Sequence, residues 1–144
     1  KVYEVTKAAQ TGGVLRLEFK EAGVTAHLKV TIHKHYFEVE VTGVEGEGVE
    51  ELVFVDLPLT LKGEPQEPFA ACALALNLQT KVTGIPQASS HLWAACYPRF
   101  GFVGAKVALI ACPQRELRRI MQEVVTASPD LPHSSVGGPW AVRR

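Results

Sequence analysis

Cysteine, methionine and net charge are all scarce in this chain of 144 residues, and no apolar run is long. Only three cysteines occur, Cys72, Cys96 and Cys112; they lie far apart and form no CxxC pair, which excludes zinc-ribbon and dithiol redox motifs. Each sits inside an apolar run and reads as a small buried hydrophobe. The 15 basic and 15 acidic side chains cancel, so the basic face that nucleic-acid phosphates require is missing. Arg115, Arg118 and Arg119 read as the solvated face of a helix, and Arg143 and Arg144 simply end the chain. The longest apolar stretches, such as residues 69–76, are too short to cross a bilayer, and no signal-peptide pattern opens the chain, so no membrane association is expected. Residue 1 is Lys, which suggests a mature product or a piece of something longer. The single Met and single Asn fit a thermophilic source. No GxSxG elbow, phosphate loop or HExxH occurs, so no catalytic residue is assigned and no cofactor is expected.

What the chain does have is strands. From Val24 to Ile32 every even position is apolar (Val24, Ala26, Leu28, Val30, Ile32) between Thr25, His27, Lys29 and Thr31, which is a strand with one wet face. After His33-Lys34-His35 the phase inverts to Phe37, Val39 and Val41, and a hairpin belongs there. Leu15, Leu17 and Phe19 mark an earlier strand, separated from the next by the turn Glu21-Ala22-Gly23. These three strands form an outer antiparallel layer. Residues 52–61, 69–78 and 105–112 are apolar on both faces, as in strands covered on two sides. After Pro113, a residue favoured in a first helical turn, Leu117, Ile120, Met121, Val124 and Val125 fall on one stripe, predicting a helix over residues 113–127 that packs on a sheet.

The fold class expected is therefore all-β, an antiparallel β-sandwich with one C-terminal α-helix. Residues 1–128 make the domain, and 129–144, rich in Pro, Gly and Ser with a lone Trp140, have linker composition. One short helix is little cover for three strands that shun water on both sides, so either the sandwich is tightly wound or a neighbouring domain completes it.

Two constellations invite chemistry. His33, His35 and Glu40 match the HxHxxxxE spacing of the first metal-binding motif in the cupins, small barrels that hold an ion with two imidazoles and a carboxylate. A polar hairpin tip is the plainer account of the same residues. From His91 to Phe102 the chain reads HLWAACYPRFGF, crowding Trp93, Tyr97, Phe100 and Phe102 around Arg99. Flat rings beside a guanidinium grip sugars through their C–H faces and hydroxyls, although the same aromatics also serve as ordinary core. Tyr97 and Arg99 are the leading ligand candidates. Paired acids such as Glu38 with Glu40 read as a solubilised strand face rather than a glycosidase pair.

The stretch GFVGAKVALIACP (residues 101–113), the helix after it, and LPHSSVGGPWA (residues 131–141) resemble a segment of large bacterial glycoside-hydrolase-like proteins. In those proteins a β-sandwich preceding a TIM-barrel catalytic domain ends with a GAKVAL-type strand, a helix and an LPHP-like linker. Here Ser134 stands where that linker commonly has Pro. The resemblance implies an accessory or carbohydrate-binding β-sandwich, with a polysaccharide or oligosaccharide ligand and a TIM-barrel partner domain. An extracellular or periplasmic location goes with that reading. The alternative is a cupin-like metal-binding barrel or small metal-dependent enzyme built on His33, His35 and Glu40.

Overall fold

A computed structural model describes residues 1–59, 63–83 and 91–131. Among the described residues, nine strands make two antiparallel sheets. The strands are β1 (Lys7–Thr11), β2 (Val14–Phe19), β3 (Val24–Ile32), β4 (Tyr36–Glu45), β5 (Leu52–Pro58), β6 (Phe69–Ala75), β7 (Thr80–Val82), β8 (His91–Cys96) and β9 (Lys106–Pro113). The large sheet has the order β1-β2-β3-β4-β9-β6, and the small one β5-β8-β7. One helix, α1 (Leu117–Thr126), follows a short 3-10 turn at Gln114–Glu116. The β-sandwich with a C-terminal helix expected from the periodicity is the architecture found.

The sequence explains the outer half of the large sheet simply. Gly12 and Gly13 join β1 to β2, with Gly12 at φ 63°. The turn after β2 is a 3-10 turn over Lys20–Ala22, closed by Gly23 in the left-handed region at φ 66° that a side chain would resist. His33-Lys34-His35 form the tip between β3 and β4, where the phase of the apolar alternation changes. A bulge lies opposite His27 and Leu28: these pair with Gly43 and Val41, leaving Thr42 unmatched, its hydroxyl donating to the His27 carbonyl at 3.2 Å.

The strands read as doubly covered resolve differently from the expectation. β6 and β9 are not a separate layer; they extend the same sheet beyond β4. One face of β9, with Val107 and Leu109, meets Leu52, Phe54, Leu92, Ala94 and Cys96 of the small sheet. The other, with Ala108, Ile110 and Cys112, packs with Tyr36 and Cys72 beneath Ile120 and Val124 of α1. The layers therefore run small sheet, large sheet, helix, and β6 and β9 are covered from within the chain. The helix suffices because only β9 and its immediate neighbours carry apolar residues on that face; β2 and β3 present Arg16, Glu18, His27 and Lys29 there.

In β5 the two-sided apolar run has another cause. Register slips between Val53 and Val55, so that Phe54 and Val55 both turn into the core, and the strand then leaves it, with Asp56, Leu57 and Pro58 exposed. Pro113 ends β9 instead of opening the helix, which starts four residues later. Of the linker-like segment, residues 132–144 lie outside the described residues, with His133 and Trp140 among them. All three cysteines are free and buried.

Candidate functional site

Strand β8 sorts its side chains by parity. Leu92, Ala94 and Cys96 enter the core between the sheets, so Trp93, Ala95 and Tyr97 point to the opposite face of the small sheet. Pairing then surrounds these rings with polar groups: Asp56 of β5 lies across from Trp93, and Lys81 of β7 across from Ala95. His91, two residues before Trp93, contacts the Asp56 carboxylate. Lys81 Nζ stands 5.9 Å from the centroid of the Tyr97 ring. The Tyr97 hydroxyl donates to Glu51, and that hydrogen bond is the main reason its pKa lies above the usual tyrosine range; partial burial and the Glu51 charge add to it. Ala95, between the two rings along β8, has no exposed surface. The result is a face on which two partly exposed rings stand beside side chains that can donate to and accept from hydroxyls.

The other three residues of the aromatic segment part company with Trp93 and Tyr97. Pro98–Phe100 form a 3-10 turn on which the Arg99 guanidinium lies 5.7 Å from the centroid of Phe100, a ring 57% exposed. Phe102 folds back against the core between the sheets and serves packing. This turn is held by Gln79, whose Nε2 lies 3.1 Å from the carbonyls of Phe100, Gly101 and Val103. Gly101 and Gly104, at φ 83° and 97°, let the backbone curl around that amide. Asp56, Lys81, Glu51 and Gln79 escaped the sequence reading. Asp56 had a visible signal, a lone charge inside the apolar run of β5; Glu51 and Lys81 become neighbours of the rings only through strand pairing.

The HxHxxxxE spacing does not bring its residues together. His33 and His35 sit at the hairpin tip instead of alternating along a strand, and each finds its own carboxylate. His33 Nε2 lies 2.8 Å from Glu38 Oε2, while its ring stacks on Tyr36 at 4.4 Å between centroids. His35 Nδ1 lies 2.9 Å from Glu123 of α1, tying the hairpin to the helix. Glu40 is in register with Lys29 and Lys106, further along β4. Among the described residues no three His, Cys, Asp or Glu side chains converge as metal ligands. Beside the tip, a shallow cleft of about 500 Å³ is lined by Phe37, Ala111, Cys112, Pro113 and Arg119 among others. Burial, helped by the charges of Glu38 and Glu123, raises the pKa of Tyr36 at its floor.

Comparison with protein families, with curated proteins and with solved structures finds no match to this chain.

Proposed function

We propose that this chain is a non-catalytic, carbohydrate-binding accessory β-sandwich that serves a glycoside hydrolase, with a polysaccharide or oligosaccharide lying across Trp93 and Tyr97. The observation that carries the reading is the sorting of β8, which sets both rings on the outer face of the small sheet, flanked by Asp56, His91, Lys81 and Glu51. Sugar rings have an apolar face and an equatorial belt of hydroxyls, and this surface offers a counterpart to each. Asp56 and Glu51 are engaged by His91 and Tyr97, which suits holding a ligand rather than cleaving it. The resemblance of residues 101–113 to the sandwich that precedes a TIM barrel points to the same class of partner. A module of this kind works by keeping a catalytic domain near its substrate, raising the local concentration without chemistry of its own.

Affinity electrophoresis through gels containing soluble polysaccharides tests it. The unaltered chain is retarded by at least one glycan, and Trp93→Ala and Tyr97→Ala each weaken that retardation by about tenfold, as expected when an anchoring aromatic is removed. Retardation that neither substitution changes removes this face from the reading, and no retardation by any glycan ends it.

A further inference from the structure

We propose that two copies of this chain join edge to edge through β1, antiparallel and centred on Ala9, so that their large sheets become one. Strand β1 closes the large sheet on one side, and all five of its residues are exposed. Edge strands are templates for pairing unless proline, a bulge or inward-facing charge blocks them, and β1 has only Lys7, at one end.

The direction of its free hydrogen-bonding groups follows from β2. Val30 N–H donates to the Gly13 carbonyl at 2.7 Å and Thr6 N–H to that of Glu18 at 2.8 Å. Odd-numbered residues at this level of β2 thus bond toward β3, and even-numbered ones toward β1. The partners of Val14, Arg16 and Glu18 are Thr11, Ala9 and Lys7, so these three bond inward. Ala8 and Gln10 consequently turn their N–H and C=O groups to the open side.

An antiparallel strand docking there must present the same spacing, and β1 of a second copy does so. With the two-fold axis through Ala9, Ala8 faces Gln10 of the other copy, and the two symmetric pairs exchange about four hydrogen bonds. Ala9 faces Ala9 as a non-hydrogen-bonded pair, where Cα atoms approach to about 4.5 Å and small side chains fit best. Lys7 faces Thr11, so no like charges oppose each other. The far edge of the sheet offers no equivalent: in β6, Ala70 and Ala71 have no exposed surface and Cys72 only 2%. Self-pairing of β1 thus satisfies both outward residues and sets no like charges together.

Sedimentation equilibrium of the full chain over micromolar to millimolar concentration is expected to show a monomer–dimer equilibrium. Gln10→Pro, which deletes an outward N–H twice per dimer, weakens it by about tenfold or more. Thr11→Lys weakens it by setting lysines against Lys7, and Lys7→Glu added to Thr11→Lys restores it. Because these side chains are exposed, circular dichroism should report an intact sheet in each variant. Mild oxidation provides a readout that needs no change in affinity: Ala9→Cys cross-links to a dimer on a non-reducing gel, whereas Thr11→Cys, which faces Lys7, does not. A monomer at every concentration together with no faster cross-linking of Ala9→Cys than of Thr11→Cys overturns the proposal. So does a dimer indifferent to both Gln10→Pro and Thr11→Lys.

Discussion

Single side chains here are tuned mostly by burial. Cys96 has no exposed surface, and loss of hydration pushes its thiol up to about 12; the same effect, with the neighbouring Cys112, takes Cys72 to about 11. A thiolate is the reactive form, so neither cysteine should react with a thiol reagent at pH 8 until the chain unfolds. The linkage has a definite sign: both folded values exceed the ordinary 9.0, so this contribution to stability is complete below pH 9 and is lost as pH rises from 9 toward 11 and 12. Urea midpoints should thus hold steady to pH 8 and fall above 9, with a flatter fall in Cys96→Ala; equal slopes in the two proteins would contradict the assignment. At the candidate site, Glu51→Gln removes the acceptor charge that favours the neutral Tyr97 phenol, and spectrophotometric titration of tyrosinate should move to lower pH. The rings of that site were legible in the sequence because aromatics crowd into residues 91–102. Their polar partners were not, since Asp56 and Lys81 come from other strands and reach Trp93 and Tyr97, respectively, only by pairing.

At the scale of elements, turns and bulges decide how the strands meet. Gln79 serves three carbonyls of the turn that displays Arg99 and Phe100. Gln79→Ala leaves them without this donor, and a loss of about 1–3 kcal/mol is expected in equilibrium unfolding. Gln79→Glu should be worse than Ala, because a carboxylate would face the same oxygens, and an order reversed from this would remove Gln79 as the clamp. Gly46 is a second fixed point, at φ 119° with the place of a Cβ only 2.7 Å from the Gly23 carbonyl oxygen. Gly46→Ala must therefore shift the backbone as well as strain it, costing about 1–3 kcal/mol, whereas Gly48→Ala meets no neighbour and carries only the backbone strain of φ 75°. Comparing the two thermal shifts separates crowding from strain. The hairpin at residues 33–35 was readable from the phase change in the alternation. The bulge at Phe54 and Val55 was not, because a slipped register and a strand buried on both faces leave the same apolar run.

For the whole molecule, the feature that matters most is that both apolar cores share β9. Ile110, with no exposed surface, lies beneath the helix, while its neighbours Val107 and Leu109 belong to the core between the sheets. Ile110→Ala should cost about 2–5 kcal/mol. It should also lower the denaturation midpoint equally whether followed by Trp93 fluorescence on the small sheet or by helical circular dichroism, since one strand couples the layers. Midpoints that separate would mean the layers unfold independently. The layered class was legible because the alternation of β3 and β4 and the stripe of α1 are strong periodic signals. The order of strands was not: nothing local announces that β9 inserts beside β4 while β5 and β8 leave for another sheet. That insertion bears on how the protein is made. During synthesis β4 and β6 emerge with their inner edges bare, and they stay so until the ribosome has delivered residues 106–113. A translation product halted before that point would expose two adhesive margins with nothing to seal them, and it is expected to aggregate more readily than a chain that has completed β9.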